Sequence, residues 1–135
     1  MALQLSTAVR NAMLDAIETA IGTTAVLKIR TGAAPASAAA ADSGTVLATL
    51  TLPSDWMAAA SSGSKAKSGT WEDTSADAAG TAAHYRIYAS DGTTCHLQGT
   101  VTATGGGGDM VVDTAVFAAG QSFTITSYSW TAPNA

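Results

Sequence analysis

The chain has 135 residues, which is the size of one small domain. It contains 30 Ala, 20 Thr, 13 Ser and 13 Gly, but only 22 Leu, Ile, Val and Phe residues together. A shortage of large apolar side chains can accompany disorder, but disorder also requires high net charge, and the formal net charge is only −4. The sequence therefore predicts a single folded domain over residues 1–135, with a modest core and roughly 6,500 Å² of accessible surface.

Charged residues are scarce, at 12% of the chain against about 25% in an average domain. Such a surface must be covered by small polar residues or hidden against partner proteins. Ten acidic residues against six basic ones, without a basic cluster, argue against nucleic acid as a partner. The sequence has neither the pattern of a signal peptide nor an apolar run of about 18 residues, so we expect no secretion signal and no membrane contact.

The first segment, residues 1–22, has the pattern of an amphipathic helix. Ser6 or Thr7 can cap its start, and a glycine can end it. Apolar side chains recur along one face at the spacing of a helix. We expect this face to pack on the protein's own β domain or on an adjacent subunit, so that removing residues 1–22 abolishes assembly or solubility. The predicted contact residues of this face are Leu3, Leu5, Val9, Met13 and Ile17.

The rest of the chain, residues 25–135, has the pattern of short β-strands. Residues 25–31 and 45–52 alternate apolar and polar side chains, as half-buried strands do. About six to eight such strands follow the helix, which predicts a mainly β fold, a small β-sandwich or jelly-roll-like domain. Low-complexity segments are predicted as loops, the last of them as a flexible connector; they are residues 33–44, 58–69 and 105–108.

Residues 82–104 are predicted to form a hairpin. A two-residue Asp-Gly loop would mix apolar and polar side chains on each face of the hairpin. A three-residue loop with Gly92 in the left-handed conformation pairs Ile87 with Cys95 and keeps one apolar face. We expect the opposite, polar face to be a second candidate contact surface. Its residues are His84, Arg86, Tyr88, His96 and Gln98, and Trp130 on the last strand is a further candidate.

No combination of residues predicts catalysis or metal binding. Cys95 is the single cysteine, and its neighbour His96 points to the opposite face of a strand, so the two cannot form a nucleophile–base pair. His84 and His96 are too few ligands for a zinc site, and the acidic residues of segment 72–77 lack the spacing of a calcium loop. We therefore expect no enzymatic activity, no cofactor and no metal ion.

The three tryptophans allow two interpretations. Trp56, Trp71 and Trp130 could form a platform on which a sugar stacks, or they could fill the core. Because other large side chains are few, the sequence favours the core.

Four segments of the chain resemble small structural proteins of tailed bacteriophages and prophages. They are STAVRNAMLDAIETAIG, LKIRTGAAPA, DTSADAAGTAAHYRIYASDGTT and FAAGQSFTITSYSW. The resemblance implies a non-enzymatic virion component, and the low charge independently suits a subunit whose surface is buried by one repeated interface. The expected role is a multi-copy capsid decoration (cement) protein. The alternatives are a tail-associated protein and a receptor- or glycan-binding module at the tail tip.

The resemblance also implies the partners and the location of the protein. We expect it to contact other virion proteins, the major capsid protein or tail proteins, and copies of itself in a homo-oligomer. It would be made in the bacterial cytoplasm and end in the virion.

Overall fold

A computed structural model describes residues 2–135 as one α-helix and eleven short β-strands. Helix α1 spans Thr7–Ile21. The strands are β1 (Val26–Arg30), β2 (Val46–Thr51), β3 (Ser64–Ala66), β4 (Trp71–Asp73), β5 (Gly80–Thr81), β6 (His84–Tyr88), β7 (Cys95–Ala103), β8 (Met110–Val112), β9 (Val116–Phe117), β10 (Phe123–Ile125) and β11 (Ser129–Thr131). The prediction of a mainly β fold with one N-terminal helix is confirmed. Met1, the first residue of the predicted segment 1–22, lies outside the described residues.

Five strands form the main sheet, in the order β2-β1-β6-β7-β8. The first four are antiparallel to their neighbours, and β8 runs parallel to the end of β7. The other strands form three two-stranded ribbons, which pair β4 with β10, β3 with β11 and β5 with β9. Apolar side chains on one face of the sheet pack against the ribbons and the segments between them. This core includes Leu27, Ile29, Leu50, Ile87 and Val101 from the sheet and Trp71, Phe117, Phe123 and Ile125 from the ribbons.

Aromatic side chains fill much of the core. Trp56 and Trp71 are both fully buried, with ring centroids 6.0 Å apart, and their indole N–H groups donate to the carbonyls of Gly22 and Ser68. Buried indoles cannot present a face to a sugar, so the core interpretation is confirmed for these two tryptophans. The accessible surface of 6572 Å² agrees with the area expected from the chain length.

The register of the β6–β7 hairpin differs from the predicted one. Ile87 pairs with Leu97 rather than with Cys95, and a bulge then brings Cys95 opposite Tyr88. The predicted register is therefore wrong, because the extra residue of a bulge changes which side chains share a face. As a result Cys95 lies on the outer, polar face of the sheet.

The turn of this hairpin is longer than predicted. Ala89 N donates to Thr94 O at 2.9 Å, so residues 90–93 form the loop. Gly92 adopts the predicted left-handed conformation, with φ of 71°. The Asp91 carboxylate accepts hydrogen bonds from the Thr94 hydroxyl and from backbone N–H groups of the turn, which lower its pKa to about 2.

The glycine run 105–108 connects two parallel strands in a tight return. Gly108 N donates to Thr102 Oγ1 at 3.0 Å, and Asp109 Oδ2 accepts from Thr100 N at 2.9 Å. A Cβ atom on Gly108 would lie 2.9 Å from Thr102 Cγ2. Gly106 and Gly108 pass close to β7, where a side chain has no room, whereas Gly105 and Gly107 adopt positive φ angles of 89° and 75°.

Candidate contact surfaces

Helix α1 begins and ends as predicted, but it is rotated about its axis relative to the predicted packing face, so that Leu14, Ile17 and Ile21 point inward. Ser6 Oγ caps it by accepting from Val9 N at 3.2 Å, and Gly22, with φ of 94°, ends it. Val9 and Met13, which were predicted to be on its packing face, are 46% and 41% exposed. Packing of this face on the protein's own β domain is therefore wrong for these residues, and contact with another subunit stays a prediction.

The other predicted contact residues of this segment have different environments. Leu3 is 71% exposed. Leu5 is half-buried. Ile17 is half-buried and packs against the core. Of the five predicted contact residues, Ile17 packs inward against the core, whereas Leu3, Val9 and Met13 are exposed.

The inward face of α1 is held by polar side chains. The Arg10 guanidinium, which is 9% exposed, donates to Ala132 O from Nε at 3.2 Å and from Nη2 at 2.7 Å. Asn11 Oδ1 accepts from Gly63 N at 2.8 Å. A Cβ atom on Gly63 would lie 2.4 Å from the guanidinium carbon of Arg10, so the glycine makes room for this contact. The helix is therefore attached to β3 and to the end of the chain.

A buried lysine on β3 fixes the second half of α1. Lys65 is 2% exposed, and its Nζ donates to Asp15 Oδ1 at 2.6 Å, Glu18 Oε1 at 2.9 Å and Ala58 O at 2.8 Å. These three acceptors match the three N–H donors of an ammonium group. Burial opposes the charged form, but the hydrogen bonds to the two carboxylates prevail and raise the pKa of Lys65. The hydrogen bond from Lys65 in turn lowers the pKa of Asp15.

The outward side of α1 is mainly apolar. Arg10, Asp15 and Glu18, the three charged residues of the helix, all bond within the chain, and of these only Asp15 is substantially exposed. Beside the exposed Asp15 and Thr19 runs an apolar surface, which we call the helix stripe; it consists of Val9, Ala12, Met13, Ala16 and Ala20. Leu3, Val9 and Met13 are three of the four large apolar side chains exposed among residues 2–135; the fourth is Val116.

The predicted polar face of the hairpin is buried under a loop. His84, Arg86 and Tyr88 are 0%, 1% and 0% exposed, because residues 33–44, which we call the strap, lie over them. The prediction that these three residues form an exposed contact surface is wrong. His96 is exposed, and its contact role stays a prediction.

The strap is bound through its backbone and one carboxylate. Arg86 Nη2 donates to Ala38 O at 2.7 Å and to Ala40 O at 3.0 Å, while Arg86 Nη1 donates to Asp42 Oδ1. Arg30 Nη2 donates to the second oxygen of Asp42 at 3.0 Å. An alanine-rich loop has no large side chain to bury, so its carbonyl oxygens make the attachment instead.

Asp42 is the centre of this polar cluster. Its carboxylate also accepts from the Tyr88 hydroxyl at 2.7 Å. Burial works against its charge, but the Tyr88 hydrogen bond and the two arginines outweigh burial and lower the pKa of Asp42. Burial and the bond to Asp42 raise the pKa of Tyr88 to about 12. The cluster therefore stays ionised at neutral pH, with Tyr88 protonated.

The residues considered for catalysis and metal binding bond to other groups. Cys95 Sγ accepts from Arg86 Nε at 3.1 Å, and His84 Nδ1 contacts Gly32 O at 2.7 Å, so neither group activates the other. Asp73 Oδ2 and Asp77 Oδ2 accept from the backbone and hydroxyl of Thr49. Within residues 2–135 no three His, Cys, Asp or Glu side chains are placed to hold a metal ion.

Trp130 lies beside an open groove at the edge of the main sheet. The groove has a volume of about 320 Å³ and is bordered by β7 and β11, with Tyr85 and Tyr128 among its lining residues. The Tyr85 and Tyr128 hydroxyls are 2.5 Å apart, and the Trp130 indole donates to the Tyr128 hydroxyl at 2.7 Å. Trp130 itself is half-buried. The sequence indicates Trp130 as a contact residue but does not indicate the groove, because the groove is formed by β11 and β7, which are distant in the chain.

Neither a membrane-spanning helix nor a known relative points to a function. In the part of the chain that the structure describes, α1 does not have the length and apolar character that a bilayer-crossing helix needs. No family model, curated protein or solved structure matches the chain.

Proposed function

We propose that the protein is a non-enzymatic structural subunit of a tailed-bacteriophage particle, a capsid decoration protein present in many copies. The helix stripe is the observation that carries the proposal. A surface helix normally exposes polar side chains opposite its buried apolar face, whereas α1 buries Leu14 and Ile21 and still leaves a second apolar side, the helix stripe, to solvent. A contiguous exposed apolar surface is typical of a protein that works in contact with another protein.

The occupant that fits the helix stripe is the protein shell of the capsid. Ala12, Ala16 and Ala20 present small side chains, so a partner surface can approach the helix backbone closely. The absence of charge on the stripe suits an apolar protein surface and offers nothing to phosphate groups. The low charge of the whole chain and the resemblance to phage structural proteins support the same role.

The test compares a double apolar-to-acidic variant of the stripe with a single control variant in binding to capsids of the source phage. Val9→Glu with Met13→Glu places two charges on the stripe, and we expect at least a tenfold loss of bound protein, since each buried charge opposes binding. Val116→Glu is the control, because Val116 is 65% exposed and lies outside the helix. Co-sedimentation measures binding, and thermal unfolding confirms that the variants fold.

Wild-type-like binding by the Val9/Met13 variant would contradict the proposal. Deleting residues 1–22 is a weaker test than the sequence suggested, because the deletion also removes both carboxylates that bind Lys65. Cryo-EM of the particle separates capsid from tail. Hundreds of copies on the head support decoration, and a small symmetric number at one vertex or on the tail contradicts it.

A glycan-binding module at the tail tip is the second candidate. The observation that favours it is the open groove beside Trp130, with Asp109 among the lining residues. An indole face and a carboxylate are groups that can contact a sugar. Loss of binding on a glycan array by Trp130→Ala, with the fold retained, would favour this candidate over the structural one.

A further inference from the structure

Strand β7 has an open edge next to the groove. Its residues Cys95–Thr100 pair with β6 on one side, but β8 pairs on the other side only with Val101–Ala103. No described strand covers the first part of that edge. An open edge of this kind is a template for pairing with another extended chain.

Main-chain directions show which groups of this edge can bind. Thr100 N points away from β6, because it donates to the Asp109 carboxylate at 2.9 Å. Residues two apart in a strand point the same way, so the N–H and C=O groups of Gln98 also point outward. Asp109 blocks the Thr100 position, whereas Gln98 is open to an incoming strand.

The groove beside Gln98 can take an apolar side chain. Tyr85 lies across Gly99, where a Cβ atom would be 2.8 Å from the tyrosine hydroxyl. Leu97, Tyr128 and Trp130 also line the groove. The tyrosine hydroxyls bond to each other, and both rings are nearly buried, so the accessible apolar surface of the groove comes mainly from the half-buried Leu97 and Trp130.

The N-terminal arm, residues 2–6, is the segment of this chain that fits the edge and the groove. The arm has no regular secondary structure, and Leu3 is its exposed large side chain, at 71%. The arm is uncharged, and its Leu3 and Leu5 have the two-residue spacing of a strand. Five extended residues span about 17 Å, which is long enough to lie along the open edge. Leu5 N donates to Asn134 O at 2.7 Å, so the helix end of the arm is attached to the segment that follows β11, and Leu3 lies beyond this attachment.

We propose that the arm of a second copy of this chain adds as a short strand to the open edge of β7 and places its Leu3 side chain in the groove. The exposed Leu3 of each copy and the open edge of the other are then covered together. A pair of copies can make this exchange reciprocally, or a ring can make it in one direction. The proposal does not depend on a place in a virion.

The first experiment compares Gln98→Pro with Gln98→Ala by sedimentation of the full chain. Proline removes the outward N–H, whereas alanine removes only the side chain, whose Nε2 donates to Pro35 O at 2.7 Å. We expect concentration-dependent self-association of the wild type and of Gln98→Ala, and association of Gln98→Pro that is about tenfold weaker. A monomeric wild type at high concentration, or equal association of both variants, overturns the proposal.

The second experiment does not depend on whether the proline variant folds. In a Cys95→Ser background, one chain carrying Leu3→Cys is mixed with another carrying Ser129→Cys. We expect a disulfide-linked heterodimer, because Ser129 borders the groove. Replacing Leu3→Cys by Val116→Cys is the matched control, since Val116 is also exposed.

Equal cross-linking of the control overturns the proposal. A monomeric protein that still binds capsids would also overturn it and leave the proposed function standing. Self-association through the arm without binding to particles would support the exchange of arms and contradict the proposed function.

Discussion

Two regions of the molecule bury a cation beneath a segment that covers the β-strands. Lys65 lies under α1, and Arg86 lies under the strap, with exposures of 2% and 1%. Lys65 is held by Asp15 and Glu18, which are three residues apart on a helix and therefore point the same way. Arg86 is held mainly by backbone carbonyls and shares its one carboxylate with Arg30.

The difference follows from what each covering segment can offer. A regular helix presents pairs of side chains at fixed spacing, so a compact ammonium group with two carboxylates is sufficient. An alanine-rich loop presents carbonyl oxygens in several directions, and the planar guanidinium has five N–H donors to match them. The identity of the buried cation is thus adapted to the segment that covers it.

The largest effect is expected where the two carboxylates of α1 lose the lysine that they share. Lys65→Ala leaves Asp15 and Glu18 facing each other and Ala58 O without its donor. Since Asp15 stays exposed to water, the cost comes from the unpaired Ala58 O and the space left by the buried side chain, and we expect a loss of about 3 kcal/mol in the free energy of unfolding, measured by urea denaturation. Lys67→Ala is the control, because the exposed bond of Lys67 to Gly69 O should contribute little. Similar losses in both variants would contradict the role of Lys65.

A smaller effect is expected when the guanidinium under the strap becomes an ammonium. Arg86→Lys keeps the charge but cannot reach Asp42 and both strap carbonyls together, so we expect a loss of about 2–3 kcal/mol. Proteolysis within residues 33–44 should accelerate at the same time. Arg30→Lys is the comparison, since Arg30 makes fewer bonds to the strap. If Arg30→Lys opens the strap as much, the guanidinium is not its main attachment.

The smallest effect is the acid sensitivity of the strap. The pKa of Asp42 is lowered from 3.8, so its contribution is complete above that pH and declines as the pH falls through it. The side chain is 40% exposed, and solvent screening limits the contribution to about 1 kcal/mol. Urea midpoints of the wild type and Asp42→Asn should differ at pH 7, and the difference should shrink as the pH falls below 3.8. A constant difference over this range would show that the charge of Asp42 is not involved.

The two regions also show how far the sequence could lead. The bounds of α1 and the strands near residues 25–31 and 45–52 were predictable, because caps and alternation are local signals. The side of α1 that faces inward was not predictable. It depends on contacts with distant residues such as Lys65, which is 50 positions from Asp15.

The prediction that the outer face of the sheet is exposed failed for a related reason. Alternation correctly separated Arg86 and Tyr88 from Ile87, but it cannot say whether solvent or a loop covers the polar side. Asp42, the only charged residue of the strap, was the available signal. Its partners Arg30 and Arg86 lie on two different strands and become neighbours only in the folded sheet.

The attachment of α1 also sets an order of events during synthesis. The segment of α1 leaves the ribosome before Lys65 and Ala132, which bind it, are made. Arg10 cannot reach its carbonyl until residue 132 has been translated. The polar and apolar sides of this segment therefore both stay uncovered until those partners emerge.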